Sequence, residues 1–244
     1  MGPMRESLSE ALSGPEQKRR YVRRLFATIA DRYDFITRFL SFGRDAAWKR
    51  RMIAMAAIVP GERVLDLACG TGDLAFLSAG CGARVTGLDV TARMIDLARR
   101  KPGAPPATWI VGDIGALPVA DSSFDVVTTG YGLRNVPDLP AAIAEISRAL
   151  APGGRFYSLD FNRPQSAPVR AVYLAYLTLV GASIGWLLHR DPDTYRYIPA
   201  SIRRYPGAAG VVTLLTSAGF REARAVPVLG GFMTIHVARK PPAA

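Results

Sequence analysis

The residues with the most chemical content run from Val64 to Ala75: Val-Leu-Asp-Leu-Ala-Cys-Gly-Thr-Gly-Asp-Leu-Ala. An apolar run that reads as a strand gives way to two glycines, Gly70 and Gly72, and then to a helix. Gly70-x-Gly72-x-x-Ala75 fits the dinucleotide-type fingerprint, in which small residues let the backbone approach a ligand and let helix and strand pack closely. Asp89 follows 19 residues after Gly70, at the end of the next strand, where a carboxylate can accept two hydrogen bonds from a ribose diol. These features suit NAD and S-adenosylmethionine (SAM) alike. Asp66 helps to separate them, because a carboxylate just ahead of the glycines suits the cationic aminoacyl group of SAM and repels a pyrophosphate. The plainer role for Asp66 is a helix cap or turn stabiliser.

Two further stretches stand where strands end. In Gly112-Asp113-Ile114, Asp113 can accept from an adenine amine and Ile114 can pack on the ring, at the carboxyl edge where such ligands bind. Gly130-Tyr131-Gly132-Leu133-Arg134-Asn135-Val136-Pro137 places Arg134 and Asn135 beside the reacting end of the cofactor. The Asn/Asp-Pro-Pro-aromatic loop that handles a nucleobase amine is absent, so no nucleic-acid substrate is expected.

The elements that position these residues alternate. Strands are expected at Arg63–Leu67, Arg84–Leu88, Thr108–Val111, Phe124–Thr129 and Arg155–Asp160, and helices from about Gly72, at Ala92–Arg100 and at Leu139–Leu150. Near the C-terminus come a helix at Val211–Ala218 and strands at Ala223–Val228 and Phe232–Ala238. Strands separated by helices imply an α/β, Rossmann-like, mostly parallel seven-stranded sheet with helices on both faces. The last two strands, joined through Gly230-Gly231, close it as an antiparallel hairpin. One domain over 1–244 is expected, with residues 1–60 as an N-terminal helical cap. Residues 162–206 break the rhythm. Ala171–Leu188 is an uncharged apolar run long enough to raise a membrane span, but a span there would strand the final helix and hairpin across the bilayer. An apolar helical lid over the site fits better, and suits a greasy substrate. Its His189 is expected to be exposed, and His236 on the last strand to be structural.

The chain carries 31 Lys and Arg against 20 Asp and Glu, a formal charge of +11, which favours anionic partners. Within the cap, Val22, Leu25, Phe26 and Ile29 form one helical face, with Lys18, Arg19, Arg20, Arg23 and Arg24 around it. These basic residues read either as a solvated face or as a contact with anionic lipid headgroups. A second helix is expected from Asp45 to Ile58. Cys69 and Cys81 are read as reduced cytosolic thiols, and no Cys/His pattern suggests a metal. The N-terminus has no apolar signal core. A cytoplasmic protein is expected, in peripheral contact with the inner membrane face through the basic helix and the apolar lid. A homodimer is left open.

Six stretches carry a resemblance: Arg32-Tyr33-Asp34; Leu40-Ser41-Phe42-Gly43 with Trp48-Lys49; the 64–74 motif; Gly132–Val136; Asp193-Thr194-Tyr195-Arg196-Tyr197 with Ser201-Ile202; and Ala218-Gly219-Phe220. Over about residues 26–240 the chain resembles the ubiquinone/menaquinone biosynthesis C-methyltransferases. The resemblance implies transfer of a methyl group from SAM to a ring carbon of a lipophilic polyprenylated quinol. Demethylmenaquinol is the expected acceptor and the benzoquinol step the alternative. It also implies SAM contacts at Thr71, Asp89, Asp113 and Ile114. The chain departs at Gly130, where many relatives have serine. Such chemistry needs alignment of the ring carbon with the S–CH3 bond, a proton acceptor for a ring hydroxyl and a stabiliser for the phenolate, and no metal. Arg134 and Asn135 are the candidates for holding ring oxygens, Tyr33 or Asp34 for relaying the proton, and Tyr195, Arg196 and Tyr197 for lining the quinol pocket. Three rivals remain at this point: a SAM methyltransferase of another small or lipid molecule, an NAD oxidoreductase, and a non-enzymatic nucleic-acid binder.

Overall fold

Alternating short apolar runs and amphipathic segments build a sheet whose strands are covered on both sides. In the computed structural model, which describes residues 8–243, four helices lead: α1 (Leu8–Ala11), α2 (Pro15–Ile29), α3 (Tyr33–Leu40) and α4 (Asp45–Ala56). The alternation then runs β1 (Arg63–Leu67), α5 (Asp73–Gly80), β2 (Arg84–Asp89), α6 (Ala92–Arg99), β3 (Thr108–Val111), β4 (Phe124–Gly130), α7 (Leu139–Ala149) and β5 (Leu150–Phe161). A helical excursion, α8 (Ala167–His189) and α9 (Asp193–Arg204), precedes α10 (Gly207–Ser217), β6 (Arg221–Val228) and β7 (Met233–Arg239).

The seven strands lie in the order β3-β2-β1-β4-β5-β7-β6. The first five are parallel; β7 runs antiparallel to β5 and to β6. This is the Rossmann-like sheet with a closing antiparallel pair that the sequence implies. The order reverses between β1 and β4, so the crevice beyond their carboxyl ends is where a ligand binds in such sheets. The period-2 strand geometry divides the core between two faces. Leu65 and Leu67 pack with Ile143, Ile146, Phe156 and Leu215. Val64 and Val126 face the other way, toward Trp48, Met52 and Ile235. A separate cluster joins the cap to the excursion, with Val22, Leu25 and Ile29 of α2 against Tyr195 and Tyr197 of α9.

Several details differ from expectation. Helix α4 stops at Ala56 because Ala57 turns left-handed, at φ 45°. β5 starts at Leu150, since Leu150 already pairs with Phe124 before the register slips to Val126–Arg155; Pro152-Gly153-Gly154 is an irregularity inside the strand. Helix α3, which has no side-chain cap, was not expected; its Ile36 is buried in the cluster that joins cap and excursion. His189 is half-buried rather than exposed, with Nε2 3.0 Å from the Tyr195 hydroxyl. His236 is buried beside Ser158, Nδ1 to Oγ 3.1 Å. Cys69 and Cys81 are both unpaired.

Candidate active site

The glycine turn after β1 needs backbone that only small residues tolerate. Gly70 and Gly72 sit at φ 54° and 90°, the left-handed region that carries little cost for glycine. At Gly72 a side chain would also strike Phe76 and Trp109, whose atoms lie 2.8–2.9 Å from the position of a Cβ. Asp89 then holds the turn. Its Oδ2 accepts from the Gly70 N–H at 2.9 Å and its Oδ1 from the Thr91 N–H at 2.8 Å. Burial raises the pKa of Asp89.

Two cavities meet here. The smaller, about 70 Å³, is lined by Gly70, Asp89, Asp113, Ile114, Gly132 and Asn135 among others. The larger, about 720 Å³, is bounded by α2, α3, α8 and α9, with Tyr131, Arg134 and Phe161 on its sheet side. Phe26, Tyr33 and Tyr131 line both. Of the residues assigned to the cofactor from sequence, Gly70, Asp89, Asp113 and Ile114 border the small cavity. Asp66, Thr71 and Gly72 stand behind it. Asp66 is fully buried; Thr128 Oγ1 donates to its Oδ1 at 2.9 Å while its Oδ2 has no partner. Burial pushes its pKa up to about 7. An unsatisfied buried carboxylate oxygen behind the glycine turn, with acids at Asp89 and Asp113 on the rim, is an acceptor set suited to a cationic nucleoside such as SAM.

The loop after β4 carries the other candidates. Tyr131 is held at φ 60°, a conformation that costs a bulky residue about 1–3 kcal/mol and persists where its surroundings fix it. Its carbonyl accepts from Arg134 Nη1 at 2.9 Å and from Asn135 Nδ2 at 2.7 Å. Its hydroxyl donates to Asp45 Oδ1 at 2.5 Å. Asp45 Oδ2 in turn pairs with Lys49 Nζ at 2.6 Å, and Lys49 reaches Asp73 at 3.0 Å. Burial works against the charge of Lys49, but Asp73 and Asp45 outweigh it and raise the pKa.

Arg134 is buried and paired with Asp160, Nη1 to Oδ1 2.7 Å. Burial opposes its charge; Asp160 more than compensates. The guanidinium lies 4.8 Å from the Phe161 ring centroid, and its buried Nε has no partner. Asn135 spends both ends of its amide on protein, the second accepting from the Tyr197 hydroxyl at 3.0 Å. Asp34 accepts from Thr71 Oγ1 at 2.5 Å and from Lys101 at 3.2 Å and lines neither cavity. It ties the cap to the glycine turn. Tyr195 and Tyr197 line the large cavity, whereas Arg196 points away to Asp193.

Sequence reasoning missed Lys18, Asp45, Lys49, Tyr131 and Asp160. Asp160 had a signal, a lone acid at the end of an apolar strand. Lys18 had none and corrects the reading of the basic helix. Its Nζ donates to the carbonyls of Arg134 and Val136 at 3.0 and 2.6 Å, and burial pulls its pKa down to about 8. Arg19 stays exposed and pairs with Asp113 at 2.8 Å. Lys18 alone of the two is withdrawn from the solvated face.

Residues 15–240 match the ubiE/COQ5 methyltransferase family. The chain belongs to that family. It is 35% identical over 242 residues, 99% of this chain and 96% of the relative, to the ubiquinone/menaquinone biosynthesis C-methyltransferase UbiE of Rubrivivax gelatinosus. It is 38% identical over 221 residues, 89% of this chain and 100% of the relative, to the demethylmenaquinone methyltransferase of Thermus thermophilus. Among solved structures, a SAM-dependent methyltransferase of Thermotoga maritima superposes with a TM-score of 0.64 at 18% identity, covering 90% of this chain and 99% of that one. These neighbours share the fold. As a UbiE/COQ5 member the chain is a SAM-dependent C-methyltransferase, and SAM is its methyl donor.

Proposed function

We propose that this UbiE/COQ5 enzyme methylates a ring carbon of a polyprenylated quinol, with demethylmenaquinol as its acceptor. The observation that carries this reading is the junction of the two cavities at Tyr33 and Tyr131. A glycine-and-acid cleft suited to the cofactor opens there onto a large chamber walled almost wholly by apolar and aromatic side chains. Relatives named for both the menaquinone and the ubiquinone steps support the substrate class. Three of the demethylmenaquinone type, at 35–38% identity, favour the naphthoquinol.

SAM, when bound, would supply an electrophilic methyl group on sulfur, so the chain's own residues align the ring and manage two protons. One is the hydroxyl proton that leaves to give the nucleophile; the other is the ring C–H proton that leaves after methyl transfer as the oxygen is reprotonated and the ring regains aromaticity. Gly70, Asp89, Asp113 and Ile114 would hold the cofactor, with Asp66 behind them. Arg134, fixed by Asp160, offers its unpartnered Nε to a ring oxygen that gains negative charge. A preorganised buried cation does this without reorganising at the moment of reaction. Tyr33 faces the junction, where its hydroxyl can hydrogen-bond the same ring. Tyr131, bonded to Asp45, gives the hydroxyl proton a path to a buried carboxylate. The walls of the large chamber exclude water and receive the prenyl tail. No residue role here calls for a metal.

The test is methyl transfer from labelled SAM by the purified enzyme, with demethylmenaquinol and the benzoquinol precursor supplied separately. Methylated naphthoquinol as the faster product supports the reading. Faster benzoquinol turnover reassigns the ring. No transfer to either, with SAM still bound, removes the quinol.

A further inference from the structure

The large cavity opens to the surface through a face that water should not favour. Helix α8 is long and apolar enough to cross a bilayer, yet it packs along one side only. Its Leu174, Leu177, Gly181 and Gly185 are buried, and a side chain at Gly185 would collide with the Asp191 carbonyl, 2.4 Å from a Cβ. Only 22% of its most apolar window is covered. The other side presents Val172 and Leu179, which are 72% and 70% exposed, with Val169 and Tyr176 between and beside them. Across the mouth, α3 and the turn after it present Phe35, Phe39 and Phe42, with the first two rings 6.3 Å apart. Leu229, between β6 and β7, adds to the rim. Phe42, Val169, Val172, Tyr176 and Leu229 belong to both the exposed face and the cavity wall, so the chamber's apolar lining continues outward without a polar collar.

The charge around this face has one sign. Residues 35–44, 161–190 and 225–235 supply the rim and contain neither Asp nor Glu; of the acids that flank them, Asp34, Asp45 and Asp160 are bound to Lys101, Lys49 and Arg134. They do contain Arg38, Arg44, Arg163 and Arg190, all exposed. Arg38 falls between Phe35 and Phe39 on one side of α3, by helical spacing. Arg190 closes α8 with its guanidinium 4.8 Å from the Trp186 ring centroid. An apolar patch of this extent marks a site of contact. A second copy of the chain is a poor occupant: face against face, arginines would meet arginines with no carboxylate between them, and both mouths would be sealed. An anionic lipid surface answers both features, since apolar side chains sink below the headgroups and arginines reach the phosphates.

We propose that this face seats on an anionic bilayer with the cavity mouth toward the lipid, so that a lipid-borne substrate slides from the leaflet into the chamber. The proposal rests on the quinol reading only for what enters; the docking itself is read from the face. It keeps the apolar lid, α8, from the contact expected from the sequence and replaces the basic helix α2 with α3.

The test uses the full chain with unilamellar vesicles of equimolar phosphatidylglycerol and phosphatidylcholine, and with phosphatidylcholine alone. The chain floats with the anionic vesicles, and brominated acyl chains quench a tryptophan signal that Trp186→Phe removes. A triple variant, Phe35→Ser/Phe39→Ser/Leu179→Ser, changes exposed residues outside the cavity wall. It should keep its SAM affinity and lower the vesicle partition coefficient by roughly tenfold or more. Arg38→Gln weakens partitioning and its salt dependence. The proposal is overturned if wild type stays unbound on anionic vesicles, or if the triple variant floats as well as wild type. It is equally overturned if sedimentation shows a dimer that the triple variant dissociates and that excludes lipid. Failure of quinol methylation with flotation intact removes the substrate and leaves the docking face standing.

Discussion

Arg134 and Asp160 bind each other twice: the guanidinium Nη1 to Oδ1 at 2.7 Å, and the Arg134 backbone N–H to Oδ2 at 3.1 Å. The loop after β4 is therefore locked to the end of β5 with a buried cation on the sheet side of the large cavity. Removing one member of a buried pair leaves an uncompensated charge, which typically costs about 3–5 kcal/mol. Asp160→Ala should destabilise the fold by about that amount in denaturant titrations. Arg134→Met/Asp160→Leu, which removes both charges, should recover most of the stability and none of the methyl transfer. Activity in the double variant would show that Arg134 serves packing alone.

Asp66 links cofactor affinity to pH. Its pKa rises from an ordinary 3.8 to about 7 through burial. An acid shifted upward contributes stability that is complete below the unfolded value and lost as pH rises through the folded one. A cationic ligand favours the ionised form, so SAM binding should release a proton near neutrality and tighten between about pH 6 and 8. Calorimetry in two buffers of different ionisation enthalpy reads the proton directly. Asp66→Asn should bind more weakly and lose the pH dependence.

His236 sets part of the acid limb of stability. Burial lowers its pKa from 6.5 to about 4. The unfolded chain takes up a proton through pH 6.5 and the folded chain only near 4, so stability is lost as pH falls across that window. A displacement of this size is on the order of 3 kcal/mol. His236→Gln should flatten unfolding free energy between those pH values, measured relative to wild type.

Lys18 fastens the cap to the reaction loop through two carbonyls. Lys18→Ala leaves both without a charged donor, a loss of about 1.5–3 kcal/mol per such contact when it is intact. The variant should bind SAM at least about tenfold more weakly, and amide exchange at residues 133–136 should quicken. An unchanged affinity would assign Lys18 to folding of the cap alone.

The sheet was legible because its strands are bounded by glycine, proline and charge. Arg63–Leu67 and Thr108–Val111 fall where expected, since an apolar run between such breaks leaves a single register. The start of β5 was not legible: Pro152-Gly153-Gly154 reads as a stop, and only its neighbour β4 shows that the chain keeps pairing through it. Helix α3 was hidden because Phe35 and Phe39 face outward while Ile36 and Leu40 face inward, so apolar residues on both sides blur the one-faced helical period. In the site, the glycine turn and the acids after it are local patterns. Lys18 is not, because its acceptors lie 116 and 118 residues away and nothing nearby distinguishes it from the four arginines around it. Tyr131 stood between two conspicuous glycines, but its role depends on Asp45, 86 residues earlier.

The most direct test is to run the reaction with SAM carrying a 13C-labelled methyl group and demethylmenaquinol, then record the carbon spectrum of the isolated product. A labelled methyl resonance in the aryl-carbon-bound region is the result expected for an enzyme that aligns a ring carbon at the Tyr33–Tyr131 junction. A resonance in the methoxy region, or label confined to SAM and its breakdown products, would contradict it.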